Sequence, residues 1–155
     1  PIKLCELFDW AEMRYREQAR RAGIEISLER SDDVMVLGDR LGLRRLIGSI
    51  IDNSMKFTPS GGSITMAAWH SSDGIVLEFT DTGIGIPSDT LTVLNTSFTL
   101  SSDRRGNGIA IARAIAELSG GQLQINSSPG IGTTVAVVLP IKTDTPVELV
   151  SQQVA

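Results

Sequence analysis

Asp81-Thr82-Gly83-Ile84-Gly85-Ile86-Pro87 is the stretch on which the fold of this chain turns. Two glycines one residue apart let the backbone take positive φ and approach a ligand closely. The aspartate before them is an acceptor, suited to a ligand amine such as the exocyclic amino group of adenine. Read alone, the run is equally an ordinary Asp-Thr-Gly turn. It follows directly on Ile75, Leu77 and Phe79, which alternate with their neighbours as a strand does. That strand is the second arm of a hairpin, because Ile64, Met66 and Ala68 alternate before a turn at Ser71-Ser72-Asp73-Gly74.

Two further runs flank it. Downstream, Arg104-Arg105-Gly106-Asn107-Gly108-Ile109 runs straight into a helix. Gly106 and Gly108 would expose backbone N–H groups at the positive end of that helix, where phosphate is favoured. The bland reading is a glycine-rich helix start without a ligand, since the run is neither a Walker loop nor a full dinucleotide fingerprint. Upstream, Asp52-Asn53-Ser54-Met55-Lys56-Phe57-Thr58 ends another helix. Asn53 and Lys56 are three residues apart and share a face. An amide oxygen suits Mg²⁺ and an ammonium suits phosphate oxygens. In isolation, a polar helix end with Lys56 near the negative pole accounts for this run as well.

The remaining elements follow from spacing. Leu4, Leu7, Phe8, Ala11, Tyr15 and Ala19 recur at helical period up to Gly23. Ile24, Ile26 and Leu28 alternate as a strand, and Val34 to Leu37 reads as a second. Asp39 caps a helix carrying Leu43, Leu46, Ile47, Ile50 and Ile51, which stops near Phe57 because Pro59, Gly61 and Gly62 follow. A short helix fits Ser88 to Leu94, and a longer one fits Gly108 to Leu118, closed by Gly120-Gly121. Strands are expected at Gln122 to Asn126 and Thr133 to Leu139, around a turn from Ser127 to Gly132. The fold class is α+β: a two-layer α/β sandwich with a mixed, mostly antiparallel sheet of about five strands, covered on one face by about three helices. One domain is expected over residues 1–142, with a polar, frayed tail over 143–155.

Composition narrows the function classes. The chain has 155 residues, 14 Lys+Arg against 18 Asp+Glu and a net charge of −4, so it lacks the basic footprint of a nucleic-acid binder. Hydrophobic residues at 41% suffice for a core. The single cysteine, Cys5, calls for no oxidising compartment, and no apolar run is long enough to span a bilayer. A cytoplasmic setting is expected. Trp10 and Trp69 are too isolated for a base-stacking platform, and the four methionines read as packing rather than a sulfur ligand set.

Taken together and in this order, the three runs resemble the ATP-binding catalytic domain of bacterial sensor histidine kinases, in the superfamily (GHKL) shared with type II topoisomerases, ninety-kilodalton heat-shock chaperones and mismatch-repair ATPases. The resemblance covers about Leu4 to Pro140. Asp52 to Pro59 matches the asparagine box, and Asp81 to Ile86 the first glycine box. Gly106-Asn107-Gly108 matches the second glycine box, and Gly130-Ile131-Gly132-Thr133-Thr134 the last. Phe98 stands at the lid phenylalanine, within a Ser/Thr-rich lid from Asn95 to Arg105. The resemblance implies a Bergerat-type ATP-binding fold. It implies that Asn53 holds Mg²⁺ and Lys56 contacts phosphate, while Asp81 accepts the adenine amino group with Thr133 or Thr134 close behind. Gly83 and Gly85 would admit the base, with Ile86 and Ile109 beside them, and Gly106, Asn107 and Gly108 would cradle phosphates. Arg104 and Arg105 would reach the γ-phosphate.

The implied function is Mg-ATP-dependent phosphorylation of a histidine on a separate dimerisation domain, followed by a response-regulator receiver domain. The domain alone would be a monomer, and its parent protein is compatible with a membrane anchor. His70, the only histidine, reads as a surface residue. Ser49 stands where the family often has a second asparagine, Ala110 where a third glycine is usual, Ser54 where alanine is common, and Ser97 where proline is frequent before the lid phenylalanine. These departures are the basis of the rival reading, a degenerate kinase domain acting as a signalling scaffold through response-regulator contacts. An ATPase or anti-sigma kinase of the same superfamily is a third. A Rossmann dehydrogenase fits poorly, because no βαβ unit opens with the glycine loop.

Overall fold

The computed structural model describes residues 1–31, 34–36, 38–87 and 107–141. Its elements run β1 (Ile2–Lys3), α1 (Leu4–Ala22), β2 (Glu25–Ser31), β3 (Met35–Val36), α2 (Arg40–Phe57), β4 (Ser63–Ser71), β5 (Gly74–Asp81), α3 (Asn107–Leu118), β6 (Gln122–Ser128) and β7 (Gly132–Leu139). Five strands form one sheet in the order β2-β4-β5-β7-β6. Only the β2–β4 pairing is parallel; the other three are antiparallel. The expected two-layer α+β architecture is the observed one. The short helix expected near Ser88 to Leu94 and the tail over 143–155 lie outside the described residues.

One expectation needs adjusting. The run from Val34 does form a strand, yet it leaves the main sheet and pairs antiparallel with β1 in a separate ribbon, Ile2 against Val36. Two residues of strand at the chain start are too few to show a period, so β1 left no mark in the spacing.

The helices bury their apolar stripes on one face of the sheet. Leu4, Leu7, Phe8, Ala11, Tyr15 and Ala19 of α1 are all buried. So are Leu43, Leu46, Ile47, Ile50 and Ile51 of α2, whose first turn is capped by Asp39 accepting the Leu41 amide at 3.1 Å. Alternation along the strands turns Ile64, Met66 and Ala68 of β4 and Ile75, Leu77 and Phe79 of β5 inward. Leu123 and Ile125 of β6 and Val135, Val137 and Leu139 of β7 join them. Phe8 meets Phe79 edge to face, 6.0 Å between ring centroids. Each such fully buried apolar side chain contributes roughly 1.5–3 kcal/mol.

Tyr15 ties α1 to α2 where the core is tightest. It is 4% exposed, and its hydroxyl donates to the Gly48 carbonyl at 3.2 Å. Gly48 has no side chain to spare, since a Cβ there would sit 3.0 Å from the Tyr15 oxygen. Burial, then the Asp52 carboxylate, push the Tyr15 pKa up from 10.0 to about 12. A raised folded-state value means the protonated phenol is favoured by folding, so the contribution is complete below the unfolded value and is lost as pH rises through the folded one. Tyr15→Phe should therefore cost about 1 kcal/mol near neutral pH. The stability gap between wild type and variant should then shrink on raising the pH from 10 towards 12. Urea melts of both proteins at neutral and alkaline pH measure it; a gap independent of pH would remove the phenol from the account.

Candidate functional site

The core-facing phase of the sheet turns polar at one end. Asp81 continues the inward phase of Ile75, Leu77 and Phe79, Thr133 that of Val135 and Val137, and Ser127 that of Leu123 and Ile125. The register sets these side chains in one row, since Asp81 pairs with Ile64 on one side and Thr133 on the other, and Thr133 pairs with Ser127. Asp81 is 6% and Thr133 8% exposed. One carboxylate oxygen of Asp81 accepts the Gly83 amide at 2.9 Å and the Thr133 amide at 3.2 Å. Two backbone donors thus fix the carboxylate, leaving it an acceptor that cannot swing away.

The segment after β5 is stitched down on three sides. The Thr82 hydroxyl accepts the Ser63 amide at 2.9 Å, the Ile84 amide donates to the Phe57 carbonyl at 3.1 Å, and the Gly130 amide donates to the Ile84 carbonyl at 2.7 Å. These contacts give the glycines a reason that spacing did not supply. A Cβ on Gly83 would lie 2.6 Å from the Phe57 carbonyl oxygen and 2.9 Å from the Asp81 carboxylate. Gly85 has φ +77°, and its Cβ would strike the Ser128 carbonyl oxygen. In this structure the chain's own packing already requires both glycines. Ile86 is half-buried against the core.

On the helical side, α3 starts against the last turns of α2. A Cβ on Gly108 would lie 2.7 Å from the Ser49 carbonyl oxygen and 3.5 Å from the Asn53 Cβ. The contact uses the Ser49 backbone, so Gly108 is needed whatever side chain stands at 49. Asn53 is half-buried, while Lys56 is exposed with its ammonium 5.4 Å from the centre of the Phe57 ring. Ile109 turns the other way, 4% exposed within the core. Thr134 is also turned away: it lies on the outer face of the sheet, its hydroxyl 3.4 Å from that of Thr80. Of the two threonines, Thr133 stands beside Asp81. Phe98, Gly106, Arg104, Arg105 and the Asn95 to Arg105 segment, and the Asn107 side chain, lie outside the described residues.

So the runs around Asn53, Asp81, Gly108 and Gly130 to Thr133 converge on one end of the sheet. The sole histidine does not join them. His70 is exposed and pairs with Ile75 near the hairpin turn, whereas Ile64 pairs with Asp81. Ile64 and His70 stand six residues apart along β4, about 20 Å. A second cleft, lined by Val36, Leu43, Ile115, Leu118 and Pro140, opens at the opposite ends of α2 and α3 and holds none of these residues.

Residues 38–143 match the family of histidine kinase-, DNA gyrase B- and HSP90-like ATPases. The chain belongs to that family. Within it, the ATPase-family domain sides with the histidine kinases. It is 34% identical over 134 residues to the histidine protein kinase DivJ of Caulobacter vibrioides, covering 81% of this chain and 22% of that protein. It is 30% identical over 151 residues to the signal transduction histidine-protein kinase BaeS of Escherichia coli, covering 93% of this chain and 32% of BaeS. It therefore spans a third or less of either kinase. Among solved structures, ShkA, determined at full length in complex with AMPPNP, superposes with a TM-score of 0.80 at 25% identity, over 92% of this chain and 31% of that one. The domain is of the catalytic ATPase type found in two-component sensor kinases.

Spacing missed four parts of the site. Ser63, Thr82 and Ser127 hold the loop, and the Phe57 carbonyl anchors it. Ser127 did carry a signal, a polar residue on the inward phase that Leu123 and Ile125 otherwise make apolar.

Proposed function

We propose that this chain is the Mg-ATP-binding catalytic domain of a sensor histidine kinase, delivering the γ-phosphoryl group to a histidine on a separate dimerisation domain. The observation that carries the reading is the buried Asp81 carboxylate, pinned by two backbone amides at the point where the four runs meet. There it would accept the adenine amino group, with Thr133 beside it. Nucleotide phosphates would extend from this row towards Asn53, Lys56 and the start of α3, where helix-end donors favour anions. Among the described residues no three His, Cys, Asp or Glu side chains cluster as a metal site, so any side-chain ligand for Mg²⁺ here would come from another residue type. The Asn53 amide oxygen is the hard ligand that would hold the ion, whose bound charge offsets that of the phosphates.

The remaining work is positioning and charge neutralisation, the main demands of phosphoryl transfer. The terminal P–O bond of ATP breaks, ADP departs, and the acceptor imidazole nitrogen takes the phosphoryl group, so this domain needs no nucleophile of its own. A response-regulator receiver domain would take it next. The domain would act in the cytoplasm as a monomer; among the described residues no helix is long and apolar enough to cross a membrane.

Calorimetric titration with Mg-ATP, Mg-ADP and a non-hydrolysable analogue tests the reading. Micromolar to sub-millimolar binding is expected for all three. Folded protein that gives no heat at millimolar nucleotide would end it.

A further inference from the structure

Ser127 stands at the centre of a small hydroxyl network beside Asp81. Its oxygen receives the Ile86 amide at 2.7 Å, lies 3.0 Å from the Gly132 carbonyl oxygen and lies 2.8 Å from the Thr133 hydroxyl. A serine hydroxyl has one hydrogen and two lone pairs. The Gly132 carbonyl can only accept, so it takes that hydrogen. The Ile86 N–H can only donate, so it occupies one lone pair. The contact with Thr133 is left to the second lone pair, and Thr133 must be the donor. The Thr133 proton is thereby committed to Ser127, so the Thr133 hydroxyl has only a lone pair to offer any other group.

The consequence reaches Asp81. Its carboxylate is also acceptor-only, with one oxygen already taking two backbone amides. The row Asp81–Thr133 thus meets a ligand with acceptors and no hydroxyl donor. A base that docks there must bring hydrogens. A 6-amino purine brings two on its 6-nitrogen, whereas a 6-oxo purine carries its hydrogen on N1; with the 6-substituent set in this row, its carbonyl oxygen meets acceptors and desolvates without a partner.

We propose that Ser127 is a positioning residue for base selection: by holding the Thr133 proton it keeps the pocket acceptor-only and selects a 6-amino over a 6-oxo purine. This rests on the nucleotide-site reading above. Removing the Ser127 hydroxyl frees the Thr133 proton to turn and donate to a 6-oxo group. It also releases the Ile86 amide, but that loss weakens both nucleotides alike and cancels in their ratio.

The test is the ratio of dissociation constants for ATP and inosine triphosphate in wild type, Ser127→Ala and Thr133→Val, by calorimetry. Wild type should favour ATP, and Ser127→Ala should narrow that preference about tenfold, the worth of one hydrogen bond gained by the 6-oxo base. Thr133→Val checks the polarity with the Ser127 hydroxyl still in place, although it removes the hydrogen bond that Ser127 accepts. It removes an acceptor, so it too should narrow the preference; a hydroxyl that donated to the base would make it widen. An unchanged ratio in folded Ser127→Ala, or a widened one in Thr133→Val, overturns the assignment and leaves Ser127 a loop anchor. Wild type that binds neither nucleotide removes the nucleotide-site reading itself, and this assignment with it.

Discussion

Asp81→Asn should lower nucleotide affinity by about two orders of magnitude while leaving the melting temperature within a few degrees of wild type. The two halves of that result have separate causes. The oxygen that accepts the Gly83 and Thr133 amides, at 2.9 and 3.2 Å, survives in asparagine as an amide oxygen of the same shape. The backbone on both sides therefore keeps its partner, and no buried N–H is orphaned. The second carboxylate oxygen becomes an NH₂ group. An adenine amino group arriving there meets a donor instead of an acceptor, and loses a charge-assisted bond worth about 1.5–3 kcal/mol. Donor now faces donor, and both stay desolvated. Together these reach about 3 kcal/mol, or roughly a hundredfold. Asp81→Ala should differ in kind, because it strands two buried amides and costs stability as well as affinity. Calorimetry beside thermal melts separates the cases. Asparagine that binds ATP as well as aspartate does would dismiss Asp81 as the base acceptor.

How much of this was legible beforehand follows from what each feature depends on. Long periodic elements were plain, since α1, α2 and the β4–β5 hairpin repeat their apolar residues often enough to declare a period. The β1–β3 ribbon was only half legible: the run from Val34 marked β3, but two-residue β1 carries no period and the pairing is decided by tertiary packing. Glycine positions were legible, but their reasons were not. Spacing marks Gly83, Gly85 and Gly108 as places where backbone comes close to something. Only the folded chain says that the something is Phe57, Ser128 and Ser49 respectively. Facing followed the same rule. Adjacent threonines look alike in a sequence, yet the pleat turns the Thr133 hydroxyl to Ser127 and the Thr134 hydroxyl to Thr80. Ile109 adjoins a glycine box but belongs to the core. One rule would have found more of the site: where inward positions on three neighbouring strands turn polar at the same end, as at Asp81, Thr133 and Ser127, the core is giving way to a ligand surface.

That surface exists only while β5 and β7 stay in close register, so Gly132→Ala should be severely damaging to both fold and site. Gly132 opens β7 with φ +148°, a backbone state that L side chains rarely adopt. Its missing Cβ would fall on the Asp81 carbonyl oxygen and within 3.1 Å of the Thr82 Cα. Backbone cannot turn aside as a side-chain end can, so the strand start must move. Strain of about 1–3 kcal/mol and overpacking of similar size combine to about 3–5 kcal/mol, a large share of a typical domain's stability. The strand that moves carries Thr133, whose amide fixes the Asp81 carboxylate, so nucleotide binding should fall with stability. Gly130→Ala supplies the comparison within the same turn. Gly130 also has positive φ, +78°, but nothing lies within 4 Å of its absent Cβ. It should cost only the conformational part, about 1 kcal/mol, and spare nucleotide affinity. Urea midpoints and ATP titrations on both variants decide the matter. Equal losses would mean that backbone conformation alone governs this turn, and that the close approach of Gly132 to Asp81 does not hold the pocket together.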